Sequence, residues 1–279
     1  MRGRSRASKL PEMAASLSLV LPAFNEESRM GPALDELFGY LCASPAGLPG
    51  KVDVLVVDDG STDGTAALVR ARPEYVGDGS AQGSAHAGDR PALRLLSVPH
   101  AGKGSAVRAG MLAAGGELIV FADADMATPP DQLPRLVAAL ADADLVLGSR
   151  IQPDGSDMRA SQPPFRRLVG KLFRLAARVW VTGHVDDTQC GFKGLRRDVA
   201  RDLFTRLRIT SIVFDVDLIY LARKRHYRMT AVPVVWADQR GSRMHARPRL
   251  ALRVAWDLLR IRFVHRGVGR AAAEGVPAK

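Results

Sequence analysis

Leu118-Ile119-Val120-Phe121-Ala122-Asp123-Ala124-Asp125 is an apolar run that stops on two acids one residue apart. Its first half reads as a buried strand. In an extended segment residues i and i+2 point the same way. Asp123 and Asp125 could therefore approach one cation. Carboxylate oxygens suit Mg²⁺ or Mn²⁺, which bind through one or two carboxylates plus substrate phosphates, so the implied ligand is a diphosphate. A solvated loop after a strand would show the same letters. Asp142-Ala143-Asp144 repeats the spacing but precedes an apolar run, and that copy reads as a loop.

Upstream, Leu17–Leu21, Val52–Val57 and Leu93–Val98 are strand-like, as is Leu145–Leu147 downstream. Helical patterns lie between them at about 31–41, 62–72, 104–114 and 129–141. Such alternation predicts an α/β fold with a mainly parallel sheet covered by helices, in which ligands sit beyond the carboxyl ends of the strands. Each polar motif follows one of these runs. Val57-Asp58-Asp59-Gly60-Ser61-Thr62-Asp63-Gly64-Thr65 closes the second. There Asp58 could accept from a pyrimidine imide, and Ser61 or Thr62 could cap the next helix; a turn with no ligand is the alternative. In Gly102-Lys103-Gly104-Ser105 the glycines let backbone N–H groups approach phosphate and Lys103 adds charge. Residues 74–91, rich in Gly, Ser and Ala, read as a flexible surface insertion, with His86 outside the chemistry.

The second half is less regular. Pro164 to Val181 reads as a helix with Arg167, Lys171, Arg174 and Arg178 on one face, and helices are expected at 198–207, 214–225 and 248–266, with a strand at 229–236. Residues 1–149 carry 13 Lys and Arg against 18 Asp and Glu, a net of −5; residues 150–279 carry 27 against 11, a net of +16. The second half therefore suits an anionic partner. Only Cys42 and Cys190 are present, which excludes a disulfide framework and fits a reducing compartment. The basic stretch before Ala14 imitates a signal peptide, but Pro22-Ala23-Phe24-Asn25-Glu26-Glu27 offers no small-residue cleavage site. No apolar stretch is long enough to span a bilayer. The expected layout is a disordered basic tail at 1–15, a single catalytic domain at 16–245 split near 149, and a basic amphipathic segment at 246–279.

Taken in order, Pro22–Glu27, Val57–Thr65, Gly102-Lys103-Gly104, Asp123-Ala124-Asp125 and Leu147-Gly148-Ser149-Arg150 resemble glycosyltransferase family 2. Asp187-Thr188-Gln189-Cys190-Gly191-Phe192-Lys193 and Phe214-Asp215-Val216-Asp217-Leu218 look like its dolichyl-phosphate β-glucosyltransferase branch, near dolichyl-phosphate mannose synthase. The resemblance covers about residues 16–245. It implies the GT-A fold and an inverting transferase that moves a hexose, most simply from UDP-glucose, to a polyprenyl phosphate. UDP-N-acetylhexosamines and GDP-mannose stay open as donors. Pro22, Phe24, Glu26 and Asp58 would hold the nucleoside, with Gly102, Lys103 and Arg240 on the donor side. Asp123 and Asp125 would face the diphosphate and a Mg²⁺ or Mn²⁺ ion. Arg150, Arg167 and Lys171 would meet the acceptor phosphate, and Asp187 would orient acceptor or sugar hydroxyls. Mannose synthases of this group often add a metal-binding glutamine two residues past the second aspartate; here that residue is Ala127. The processive-synthase pattern Gln-x-x-Arg-Trp is missing.

The resemblance fits the charge split: an acidic, metal-holding donor half and a basic acceptor half. It also implies a cytoplasmic protein held peripherally on the inner face of the cell membrane, with the basic helices against anionic lipid. A family 2 transferase with a soluble anionic acceptor is the nearest rival. Nucleic-acid binding is disfavoured by the low aromatic content and the lack of basic–aromatic interleaving. A nucleotidyltransferase would carry a Gly-rich basic loop where Pro22–Glu27 has two acids.

Overall fold

A computed structural model of the chain describes residues 14, 16–79, 90–161, 164–183, 185–237 and 248–269, with the backbone alone at 160–161, 164–169 and 248–251. Eight strands form one sheet: β1 (Ser16–Ala23), β2 (Lys51–Asp58), β3 (Tyr75–Asp78), β4 (Ala92–Ser97), β5 (Leu118–Ala122), β6 (Leu145–Ser149), β7 (Phe192–Arg196) and β8 (Met229–Pro233). Their order is β3-β4-β2-β1-β5-β7-β6-β8, and only β7 runs against its neighbours. The helices are α1 (Glu27–Cys42), α2 (Thr65–Arg70), α3 (Lys103–Ala113), α4 (Leu133–Ala139), α5 (Pro164–Ala177), α6 (Arg197–Arg206), α7 (Phe214–Lys224) and α8 (Pro248–Val264).

The central strands are apolar throughout rather than alternating because both sheet faces are covered. Leu17, Leu19 and Leu21 of β1 point into one core with residues of α1, α2 and α4. Val20, Leu55 and Phe121 point into the other, against α3, α6 and α7. The polar exception is satisfied internally: Asp53 in β2 accepts from Ser18 Oγ at 2.5 Å and from Arg94 at 2.5 Å, all three being buried. A third, smaller cluster joins α5, α7 and α8.

Three expectations need correction. Tyr75–Asp78, inside the expected flexible insertion, is the edge strand β3, hydrogen-bonded to β4; its short Tyr-Val-Gly-Asp pattern is too weak to read before its partner is known. Residues 80–89, His86 among them, lie outside the described residues, as do 1–13, most of the expected basic tail. Neither Ser61 nor Thr62 caps α2. That helix starts later, after Gly64. The helix expected to reach Val181 is α-helical only to Ala177, then turns once as a π-helix over Arg178–Thr182. The antiparallel β7 was not anticipated at all.

The chain passes from β1 to β2 on one side and returns to β5 on the other, so the topology switches direction at β1, where open α/β sheets place their ligands. The carboxyl ends of β1, β2, β4, β5 and β6 meet at one edge. β7 supplies the sixth contribution because it runs backwards: Phe192 pairs with Ala122 at the end of β5. This reversal brings Asp187–Gly191 beside the paired acids.

Candidate active site

The loops after β1 and β2 are tied together. Asn25, at φ 55°, turns its side chain to accept from Thr62 N at 2.8 Å, while its own N–H donates to Ser61 Oγ at 2.9 Å. Asp58 is buried at the end of β2 and accepts from Ser61 N at 3.0 Å. Asp59, which the sequence reading left without a role, organises the loop after β4. Its carboxylate accepts from the amides of Ala101 and Gly102, both at 2.9 Å, and His100 Nδ1 lies 2.9 Å from its oxygen. His100 in turn stacks on Phe24 with ring centroids 4.2 Å apart. Phe24, which follows β1, thus becomes half of an exposed aromatic shelf beside Asp58. Pro22 is the penultimate residue of β1, paired with Val57.

Glycine is needed where the Gly102-Lys103-Gly104 motif turns. Gly102 has φ 96°, and a Cβ on Gly104 would come within 2.5 Å of the Thr210 carbonyl oxygen. α3 therefore starts tight against the loop before α7, with Lys103 at its first position. Lys103 Nζ ion-pairs with Asp123. Burial works against the Lys103 charge, but the Asp123 and Asp215 carboxylates outweigh it and raise the pKa. Asp125 accepts from Ala127 N at 3.2 Å and faces Arg29 at 3.5 Å. Burial and the neighbouring Asp123 together push the Asp125 pKa up, against the opposing pull of Arg29 and Lys103. Two crowded carboxylates of this kind favour an added cation. Gly191 leaves room for them: a Cβ there would lie 2.3 Å from the Asp123 carboxylate. No group of three or more His, Cys, Asp or Glu able to hold a metal occurs among the described residues. The protein thus offers two carboxylates, and the buried Ala127 adds no ligand.

Glu26 does not present a free carboxylate. Arg29, one turn along α1, holds it through two hydrogen bonds of 2.6 and 2.5 Å. Arg29 was missed in the sequence, although an acid and an arginine three residues apart at a helix start is a readable pair.

In the loop that leads into β7, Asp187 is buried and accepts from Arg150 three times: from N at 2.9 Å, Nε at 2.8 Å and Nη2 at 2.7 Å. Burial opposes the Asp187 charge, but Arg150 and then Arg159 hold its pKa well below the usual carboxylate range. Arg150 is correspondingly raised, despite burial, by Asp187, and its guanidinium lies 5.4 Å from the Trp236 ring centre. Arg159 is held by Asp157 at 2.7 and 2.9 Å and reaches Asp187 at 3.4 Å. Arg174 is different. Among the described residues its one ion-pair partner, Asp157, is 3.9 Å away. Burial and then Arg159 lower its pKa. Three arginines thus share two aspartates, and Arg174 holds the excess charge. Lys171, one turn earlier on α5, is exposed. The Arg167 side chain and all of Arg240 lie outside the described residues.

Beneath the paired acids, Lys193 of β7 is fully buried. It donates to Asp215 at 2.6 Å and to the Cys190 carbonyl at 2.6 Å, under the Phe121 ring. Burial pushes the Cys190 thiol up to about 12, which leaves it unreactive. The buried Asp217 accepts from the Arg208 and Ile209 amides at 3.0 Å and bonds the buried His265 at 2.6 Å.

Residues 18–204 match the family Glycosyl transferase family 2. The chain belongs to that family. It is accordingly a glycosyltransferase, with the α/β architecture described above. A dolichyl-phosphate beta-glucosyltransferase of Trichomonas vaginalis is 33% identical over 257 residues, which cover 89% of this chain and 71% of that protein. The protein of the same name from Drosophila melanogaster is 35% identical over 237 residues, covering 82% and 69%. The glycosyltransferase fold is also similar to that of glucosyl-3-phosphoglycerate synthase from Mycobacterium tuberculosis, solved with UDP. The TM-score is 0.58 and the identity 22%, over 88% of this chain and 80% of that one. No helix among the described residues is long and apolar enough to cross a membrane.

Proposed function

We propose that this glycosyltransferase moves a hexose, most simply glucose from UDP-glucose, onto the phosphate of a polyprenyl or dolichyl phosphate with inversion at the anomeric carbon. The observation that carries this reading is the charge arrangement at one edge of the sheet: Asp123 and Asp125 at the end of β5, close enough for Asp123 to act on Arg150 of an arginine cluster with one cation in excess among the described residues. The names of the relatives in Trichomonas and Drosophila point to the same acceptor.

On the donor side, the Phe24–His100 shelf suits a flat base, and the Asp58 carboxylate suits its imide N–H. Asp123 and Asp125 fit a divalent ion, Mg²⁺ or Mn²⁺, that would stabilise charge developing on the leaving nucleoside diphosphate. Their crowding and the raised Asp125 pKa support this fit. Lys103 and Arg29, which ion-pair with these acids, would turn toward the diphosphate.

On the acceptor side, a phosphate monoester oxygen is already a nucleophile, so no strong base is required. The task is to bring one anion up to another. Arg174 and Lys171, with Arg167 on the same helix, supply the attraction. Arg150 is held by Asp187 and acts as the wall that orients the incoming group. The phosphate oxygen attacks in line; its bond to the anomeric carbon forms as the bond to the nucleoside diphosphate breaks.

The test is transfer of label from UDP-glucose, UDP-GlcNAc, UDP-GalNAc or GDP-mannose to a short polyprenyl phosphate, with Mg²⁺ or Mn²⁺ present. Label is expected in the organic phase with UDP-glucose and absent for Asp125→Ala. Label moving only to a soluble phosphorylated acceptor would keep the fold and overturn the lipid assignment.

A further inference from the structure

α8 is apolar on two opposite sides. At 100° per residue, Val254, Leu258 and Ile261 form one stripe, and this stripe is buried or partly buried against α5 and α7. Leu252, Trp256, Leu259 and Phe263 form the other, within roughly 60° of arc, and these four are 73, 63, 51 and 52% exposed. A helix that needs only one buried face to fold has kept a second apolar face in water, and such a patch marks a contact site. α5 and its π-turn extend it. Leu172, Leu175 and Val179 are 60, 60 and 78% exposed. With Trp180 and Leu259 they line an open groove of about 410 Å³. Trp180 Nε1 donates to the Leu259 carbonyl at 3.3 Å, joining the two helices into one surface.

The flanks of the exposed stripe are cationic. Arg253 and Arg260 lie along one side, Arg262 and Arg266 along the other. Arg262 sits 4.9 Å from the Trp180 ring centre and Arg266 4.5 Å from that of Phe263. Only Arg260 has a nearby carboxylate among the described residues, Asp257 at 3.5 Å. Aromatic rings with guanidinium groups at their edges, around an aliphatic centre, suit the boundary between acyl chains and headgroups. A second copy of the same face would set arginines against arginines. Anionic headgroups would neutralise them.

We propose that the face formed by α5 and α8 docks on an anionic lipid bilayer, the Leu252–Phe263 stripe entering the interfacial layer and the flanking arginines meeting headgroups. The inference deepens the lipid-phosphate reading and rests on it for the choice of a bilayer. α5 carries both the exposed leucines and Lys171 and Arg174, so docking would hold the acceptor-binding cations at headgroup height.

Flotation of the full chain with phosphatidylcholine vesicles, with and without phosphatidylglycerol, tests the proposal. The wild type is expected to float with the anionic vesicles and to lose affinity with salt. Leu259→Glu/Phe263→Glu and, separately, Arg253→Glu/Arg262→Glu should each weaken binding roughly tenfold or more, with unchanged circular dichroism. Both variants should still glycosylate a short acceptor in detergent. No flotation of the wild type, or variants that float equally well, would overturn the docking surface. So would concentration-dependent dimerisation abolished by Leu259→Glu/Phe263→Glu without vesicle binding. Flotation without lipid-phosphate transfer would instead remove the functional reading and leave the surface standing.

Discussion

Two parts of the molecule hold their charges in opposite ways. At the end of β5 the carboxylates of Asp123 and Asp125 are partly exposed, and each is met by a single contact from a long, partly exposed side chain, Lys103 or Arg29. In the loop before β7 Asp187 is buried and saturated by Arg150, through backbone and side chain together. A loosely held pair can exchange its partner for a ligand. A buried, multiply bonded pair shapes the wall and cannot leave it. The same kinds of residue are therefore exchangeable in one place and fixed in the other, and burial decides which.

The largest effect expected from breaking this comparison is on stability. Asp187→Ala leaves the Arg150 guanidinium buried without its carboxylate, a loss of roughly 3–5 kcal/mol, read as a fall in the denaturation midpoint. The wild-type Asp187 contribution is present above the ordinary aspartate range and fades as pH falls through its lowered pKa.

Asp125→Asn should behave in the opposite sense. Activity drops by about 10²–10³-fold, while the melting temperature at neutral pH holds or rises, because a crowded charge has been removed. A variant that unfolds instead would place Asp125 among the structural acids and collapse the distinction.

Lys193→Met sharpens the comparison at the buried pair under the site. Asp215, already raised by burial, can take up a proton, so the cost should be limited to roughly 1–3 kcal/mol. The folded variant then binds a proton that the unfolded chain does not, so its stability should decline as pH rises. A urea titration series across pH measures the slope.

The smallest effect is a shift rather than a loss. Arg29→Gln removes a cation that lowers the Asp125 pKa, so the acid limb of the activity profile should move to higher pH. An unmoved limb would separate Arg29 from the Asp123–Asp125 pair.

Much of this was legible in the residues because it is local. The runs at Leu17–Leu21, Val52–Val57 and Leu118–Phe121 are too apolar to be anything but buried, and each ends on polar residues that must then lie at a sheet edge. Asp58, Lys103, Asp123 and Asp125 followed from that alone. β7 did not, because Phe192–Arg196 contains a lysine and an arginine and reads as no strand; its place depends on Asp215 arriving from α7 to neutralise Lys193. For the same reason Arg150 and Asp187, 37 positions apart, could be named but not seen as one pair.

The sequence by itself determined the strand–helix alternation, the family, an acidic first half and a basic second half, since periodicity, motif and charge are properties of neighbouring residues. Only the tertiary structure decided which charges are free. Arg29 claims Glu26, Asp187 claims Arg150, Arg174 is left in excess, and one stripe of α8 is buried while its opposite stays in water. Each of those outcomes depends on which distant group arrives within bonding distance and on how much solvent it displaces, and one-dimensional spacing carries neither quantity.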